Sequence, residues 1–145
     1  MEMSSIKIGK NSEGKLMHYG VAAFIEKEGK YFLIKRATFP KGYSFIMGHV
    51  DEGEDSDEAI IREVKEESGF DVVEKKLIGE GELKDYSCNK GADCHYWKIY
   101  SCEVSGEMNS NEKEVESCDW FSSEEIKELD LEGTAKYWFE KLGII

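Results

Sequence analysis

Glu63, Glu66 and Glu67 crowd three carboxylates into five consecutive residues, inside the stretch GHVDEGEDSDEAIIREVKEESGF that runs from Gly48 to Phe70. At 100° per residue they share one side of a helix, where like charges repel and raise one another's pKa unless a cation sits among them. Every donor in the cluster is a hard carboxylate oxygen, with no thiolate or imidazole, which favours Mg2+ or Mn2+ over zinc. Magnesium uses few carboxylates and fills its octahedron with waters and phosphate oxygens, so such a face recruits a polyphosphate. An acidic run is ordinarily just a solvated helix face. That account predicts neither the glycines at 48 and 69 nor Arg62, one of only two arginines in the chain, beside Glu63.

A helix must carry this face. Asp55 or Ser56 can cap it, acids in its first turn suit the positive end of the dipole, and Gly69 stops it, so it should run to about Ser68. Ile60, Ile61 and Val64 fall on one flank, the natural contact with a core. Upstream, Tyr19 to Ile25 and Tyr31 to Arg36 read as paired strands joined at Glu26-Lys27-Glu28-Gly29-Lys30. Ala37 to Ser44, with Pro40 and Gly42, reads as a loop leading to the short apolar run Phe45-Ile46-Met47. Downstream, Val72 to Leu83 and His95 to Val104 read as strands across the polar connection Lys84 to Asp93, and Val115 to Phe121 as a last short strand. Ser122-x-x-Glu125 is a capping-box pattern, and Ala135 to Leu142 reads as a second apolar-faced helix ending at Gly143. Strands, helix, strands, helix is the order of an α/β mixed sheet with helices on its faces.

The spacing Gly48-x5-Glu54-x7-Arg62-Glu63-Val64-Lys65-Glu66-Glu67-Ser68-Gly69-Phe70 resembles the signature of the Nudix (MutT-like) hydrolases at every specified position. A chance match in a chain of this composition is on the order of one in a million, well below the false-positive risk of most short motifs. The resemblance implies the Nudix fold, an α/β/α sandwich around a mixed sheet, and hydrolysis of a diphosphate joined to another moiety. It also implies roles for residues. Glu66 and Glu67 are the principal metal ligands, and Glu63 is either a further ligand or the base that deprotonates the attacking water. Arg62 pairs with Glu63 and fixes its orientation, with Glu54 in support. A backbone carbonyl at or just before Gly48 completes the metal's coordination, although Phe45-Ile46-Met47 replaces the family's common Leu-Pro-Gly-Gly lead-in. Many members add a glutamate from a later loop ahead of a Trp-Phe pair. Glu112, Glu114 and Glu116 all precede Trp120-Phe121, and spacing selects Glu114, with Glu112 second. Arg36, ending Leu33-Ile34-Lys35-Arg36, is similar to the family's strand arginine near the substrate phosphates, and Lys41 lies in the adjacent loop; a surface salt bridge is the competing role for both.

Composition bounds the rest. At 145 residues the chain is one domain, 1–145, and its 40% hydrophobic and 12% aromatic content is too rich in core-formers for disorder. Nineteen Lys+Arg against 31 Asp+Glu give a net charge of -12, the wrong sign for holding a nucleic-acid duplex. Local divalent cations would let so acidic a protein take an anionic substrate. No apolar run approaches a membrane span and the N-terminus lacks a secretory pattern, so a cytoplasmic location is the expectation. Cys88, Cys94, Cys102 and Cys118 are then expected reduced, and Cys88-x5-Cys94-His95 lacks the ligand spacing of a zinc site. Tyr86, Tyr96, Trp97 and Tyr100 have the chemistry to stack on a nucleobase, though aromatics on strands more often fill a core. His18, His49 and His95 show no nucleophile or base partner and receive no catalytic role. The expected function is Mg2+-dependent hydrolysis of a nucleoside di- or triphosphate or a related nucleotide derivative. A dinucleoside polyphosphate hydrolase, suggested by Gly48-His49-Val50, and a non-catalytic nucleotide-metabolite-binding module are the alternatives. The partner is a small molecule, and a homodimer is left open.

Overall fold

A computed structural model describes residues 6–84, 94–110 and 112–145. Eight strands form the mixed sheet: β1 (Ile8–Lys10), β2 (Leu16–Lys27), β3 (Lys30–Arg36), β4 (Gly42–Ser44), β5 (Ile46–His49), β6 (Asp71–Lys84), β7 (Cys94–Ser105) and β8 (Val115–Ser122). Three helices complete it: α1 (Ser56–Ser68), α2 (Ser123–Ile126) and α3 (Gly133–Lys141). The path through the sheet is β4-β3-β2-β7-β6, with β1 and β5 also pairing β2, and β8 pairing β3.

β2 organises everything. Its run Val21–Ile25 is buried at every position, which alternation would forbid in a strand with one wet face but which a strand covered on both faces requires. One face carries Val21, Ala23 and Ile25, packed with Ile46, Ile60 and Val64, so α1 lies there. The other carries Ala22 and Phe24, packed with Phe45, Trp138 and Phe139, so α3 lies opposite. β2 runs parallel to β7, in register from His18↔His95 to Ile25↔Cys102, and antiparallel to β5, from Gly20↔His49 to Ala23↔Ile46. The β5 pairing delivers the chain to the foot of α1.

The expected elements are present, with local differences. The segment read as a loop, Ala37 to Ser44, contains β4, because Gly42–Ser44 finds a free edge on β3. β1 is an unforeseen three-residue edge strand. Asp55, not Ser56, caps α1, in a reciprocal capping box with Glu58, and Gly69 ends the helix in the left-handed conformation at φ 83°. Ile61 was placed with Ile60 and Val64 but is 45% exposed; the buried flank of α1 is completed instead by Glu63 and Glu67. The anticipated connection Lys84 to Asp93 begins with a residue of β6, and the remainder lies outside the described residues, as do Tyr86 and Cys88.

Candidate active site

The three helix carboxylates do not stand equally. Glu63 and Glu67, one turn apart, face the sheet and are 8% and 4% exposed, whereas Glu66 stays in solvent. Two charges are thus held at the seam between α1 and β5. Gly48 makes room for them. A Cβ at position 48 would lie 2.2 Å from Glu63 Cδ, so the Glu63 carboxyl occupies the space any side chain there would fill. The glycine is demanded by close approach rather than by backbone angle.

Arg62 spends all five of its N–H donors on this corner. Nε and Nη2 form a fork on Glu54, at 2.8 Å to Oε2 and 3.0 Å to Oε1. Nη1 donates to Glu63 Oε1 at 2.7 Å and Glu66 Oε2 at 3.2 Å, and Nη2 also donates to the His49 carbonyl at 2.9 Å. Glu54 in turn accepts from the Asp51 backbone N–H at 3.0 Å. One planar cation therefore ties the end of β5, the acidic loop and the helix into a single rigid unit, a geometry lysine lacks.

The electrostatics separate these acids by role. The Arg62 hydrogen bond holds Glu54 below the ordinary carboxylate range. Burial pushes Glu63 up to about 7 despite the adjacent Arg62, and Glu66 and Glu114 add repulsion. Glu67 is driven well above the usual value by burial and by Glu63 and Glu114, with Arg36 and the Met47 backbone N–H opposing. Its Oε1 is buried with no hydrogen-bond partner among the described residues. A buried acceptor left empty costs about 1–3 kcal/mol, more when charged, and persists where something else satisfies it.

The later-loop glutamates 112, 114 and 116 are all exposed and differ in their neighbours. Glu114 is the one whose charge bears on both Glu63 and Glu67. Its carbonyl accepts from Ala37 N–H at 3.0 Å, which ties it to the end of β3. Glu116 instead pairs with Lys35 at 3.0 Å. Arg36 is braced by donation from Nε to the Pro40 carbonyl at 2.7 Å, and its charge bears on Glu67. Lys41 is exposed in the adjoining turn, and nothing in the described contacts draws it to the cluster.

The aromatic candidates divide. Trp97 and Tyr100 are core, the Tyr100 hydroxyl meeting Ser56 Oγ at 2.9 Å and Asp57 Oδ1 at 2.8 Å, while Tyr96 stays at the surface with its hydroxyl on Glu80. Cys94 and Cys102 are buried thiols raised by burial to about 11 and about 12, which makes them poor nucleophiles. Sequence reasoning named a carbonyl at or just before Gly48 but passed over Asp51, whose carboxylate lies 3.5 Å from Arg62 Nη2, the Met47 N–H and the His49 carbonyl. Main-chain donors and acceptors leave no mark in a sequence.

The structure is thus a mixed sheet sandwiched by helices, with a helix-borne acid cluster braced by one arginine. The NUDIX domain model matches residues 16–142, and the chain belongs to the Nudix hydrolase family. It is similar to the NAD-capped RNA hydrolase NudC of Pseudomonas aeruginosa, 33% identical over 91 residues that cover 62% of this chain and 30% of NudC. It is also similar to the ADP-ribose pyrophosphatase of Methanocaldococcus jannaschii, 42% identical over 67 residues, covering 43% and 40% of the two chains. The chain thus spans well under half the length of either protein. The crystal structure of a MutT NUDIX hydrolase from Burkholderia pseudomallei shares the fold, with a TM-score of 0.76 at 24% identity, covering 86% of this chain and 96% of that one. Among the described residues no helix is long and apolar enough to cross a membrane.

Proposed function

We propose that this Nudix hydrolase is a Mg2+-dependent pyrophosphohydrolase that cleaves a diphosphate linkage in a nucleotide derivative. The observation that carries the reading is the unsatisfied, buried Oε1 of Glu67, set among Glu63, Glu114 and Arg36. An all-oxygen donor set of this charge fits a hard divalent cation, Mg2+ with Mn2+ as substitute. Glu66, Glu67 and Glu114, with the backbone around Gly48, are the groups that would hold it, and Glu63 is either a further ligand or the base. Bound there, the ion supplies Lewis-acid stabilisation of the phosphate and eases deprotonation of water.

The protein residues do the positioning. Arg62 and Glu54 fix the Glu63 carboxylate in one orientation. When it is not a ligand, the Glu63 carboxylate, which burial raises above the usual range, is suited to accept a proton from the attacking water. Arg36, anchored through the Pro40 carbonyl, offers its guanidinium to a substrate phosphate, while Lys41 has no contact among the described residues that supports the same role. Positioning and electrostatics are most of what such phosphoryl chemistry asks of a protein.

Two similar proteins are named for acting on NAD-capped RNA and ADP-ribose, which supports a substrate in which a nucleotide is joined through a diphosphate. The His49 side chain lies on the opposite sheet face from Gly48, which withdraws the residue-level support for a dinucleoside polyphosphate. The test is turnover of ADP-ribose, NAD, nucleoside triphosphates and dinucleoside polyphosphates with Mg2+, and with EDTA as control. Metal-dependent release of a mononucleotide from ADP-ribose or NAD is the expected result. Tight binding without turnover of any of them would instead make this a sensing module.

A further inference from the structure

We propose that His18, His49 and His95 form a second metal centre, a three-imidazole site for a Zn2+-class transition ion on the sheet face opposite the acid cluster. The three come from β2, β5 and β7, far apart in sequence but brought together by strand pairing. His18 is directly opposite His95 in the parallel pair. His49 is opposite Gly20, two residues from His18 and therefore on the same face. That face carries Ala22, Met47 and Trp97 and packs towards α3. The acid cluster of α1 lies on the other side of the sheet.

The ring geometry is what a metal would ask for. One ligand nitrogen from each histidine lies within 4.8 Å of the other two. The ring centroids are 5.1 Å apart for His18–His49, 5.6 Å for His18–His95 and 5.5 Å for His49–His95. Metal–nitrogen bonds of about 2.0–2.1 Å at tetrahedral angles put imidazole centroids about 5.2 Å apart. Closing the triad needs side-chain adjustments of only about 1 Å, well within a rotamer well.

The surroundings keep the triad together. An ideal Cβ on Gly20 would lie 2.5 Å from the Trp97 ring, so that ring lies against β2, and it also stacks on His95 at 5.6 Å. His18 and His95 are 3% exposed, and His49 is half-buried. His49 Nε2 is itself buried, so the triad faces the interior, and three protein ligands at a tetrahedral ion leave a fourth position for water or an incoming ligand. Imidazole nitrogens select Zn2+, Co2+, Ni2+ or Cu2+, while Mg2+ stays with the carboxylates, so the two sites divide the metals by ligand softness. The site is independent of the reading given under Proposed function, although the two are joined through one residue: the His49 carbonyl is an acceptor for Arg62.

The test uses Co2+ as the probe, with Mg2+ in excess to occupy the acid cluster. The intact protein should bind one equivalent and show the intense visible bands of tetrahedral Co2+. These bands should persist in Glu67→Gln and vanish in His49→Gln. Because a buried histidine variant can fail to fold, X-ray absorption of the Zn2+-loaded wild-type protein gives a second readout: it should show three imidazoles in the coordination shell. Zn2+ should also raise Tm by about 5–10 °C at a concentration near a hundredfold above its Kd. A pale octahedral spectrum, bands that survive His49→Gln, or a zinc shell made of oxygens alone would each overturn the proposal.

Discussion

Replacing Gly48 with alanine isolates the contact on which the acid cluster rests. The added methyl would sit 2.2 Å from Glu63 Cδ and 2.3 Å from its Oε2, where ordinary contacts are about 3.5–4.0 Å. Backbone strain adds little, since Gly48 lies in a regular strand pairing with Val21. The carboxyl group must therefore retreat by more than about 1 Å, and in doing so it loses the 2.7 Å bond from Arg62. Glu63 is the far end of a flexible side chain, so the fold should give way there first. Overpacking of this kind costs about 1–3 kcal/mol, a fall in Tm of about 2–10 °C for a chain of this size. Displacement of a catalytic group by about 1 Å costs on the order of a hundredfold in rate. The expected result is thus a folded protein with kcat down about a hundredfold, read by turnover with Mg2+ alongside thermal unfolding. Wild-type kcat in a folded Gly48→Ala protein would refute the idea that Gly48 exists to admit Glu63, and with it the placement of Glu63 in the chemistry.

Glu67→Gln should lose at least about a hundredfold in turnover, while its metal-free Tm rises, because a buried, unsatisfied carboxylate is replaced by a neutral amide; steady-state kinetics and calorimetry in EDTA check both halves. Glu63, raised from 4.5 to about 7, holds its proton in the folded state over a range where the unfolded chain has lost it. Its stabilisation is therefore complete below pH 4.5 and disappears as pH rises to 7, a change of about 3 kcal/mol. Urea unfolding in EDTA should show that loss in wild-type relative to Glu63→Gln, and added Mg2+ should restore stability at neutral pH; a pH-independent difference between the two proteins would contradict the assignment. Arg62→Lys keeps the charge but not the fork, and should lower kcat by about 10–100-fold with the fold intact. Among the later-loop acids, Glu114→Gln should weaken Mg2+ activation measurably, whereas Glu112→Gln and Glu116→Gln should leave the Mg2+ titration of activity unchanged.

The sequence by itself determined the helix, its caps, the acids it carries and the reaction class, because those features are local. Glu54, Arg62, Glu63, Glu66 and Glu67 fall within fourteen residues, and the Asp55 capping box and Gly69 stop fix the helix that displays them. It could not say that Glu66 stays in solvent while Glu63 and Glu67 are buried, since helical spacing gives an angle and not the position of the neighbouring sheet. Ile61 was misplaced for the same reason. That the Glu114 charge bears on Glu63 and Glu67, and that Glu116 pairs with Lys35, depends on the register of β8 against β3, a long-range pairing with no local signature. The histidines at 18, 49 and 95 carry no motif at all. Only the pairing of β2 with β5 and β7 sets them on one face, because strand alternation decides which side a residue takes and register decides whom it meets.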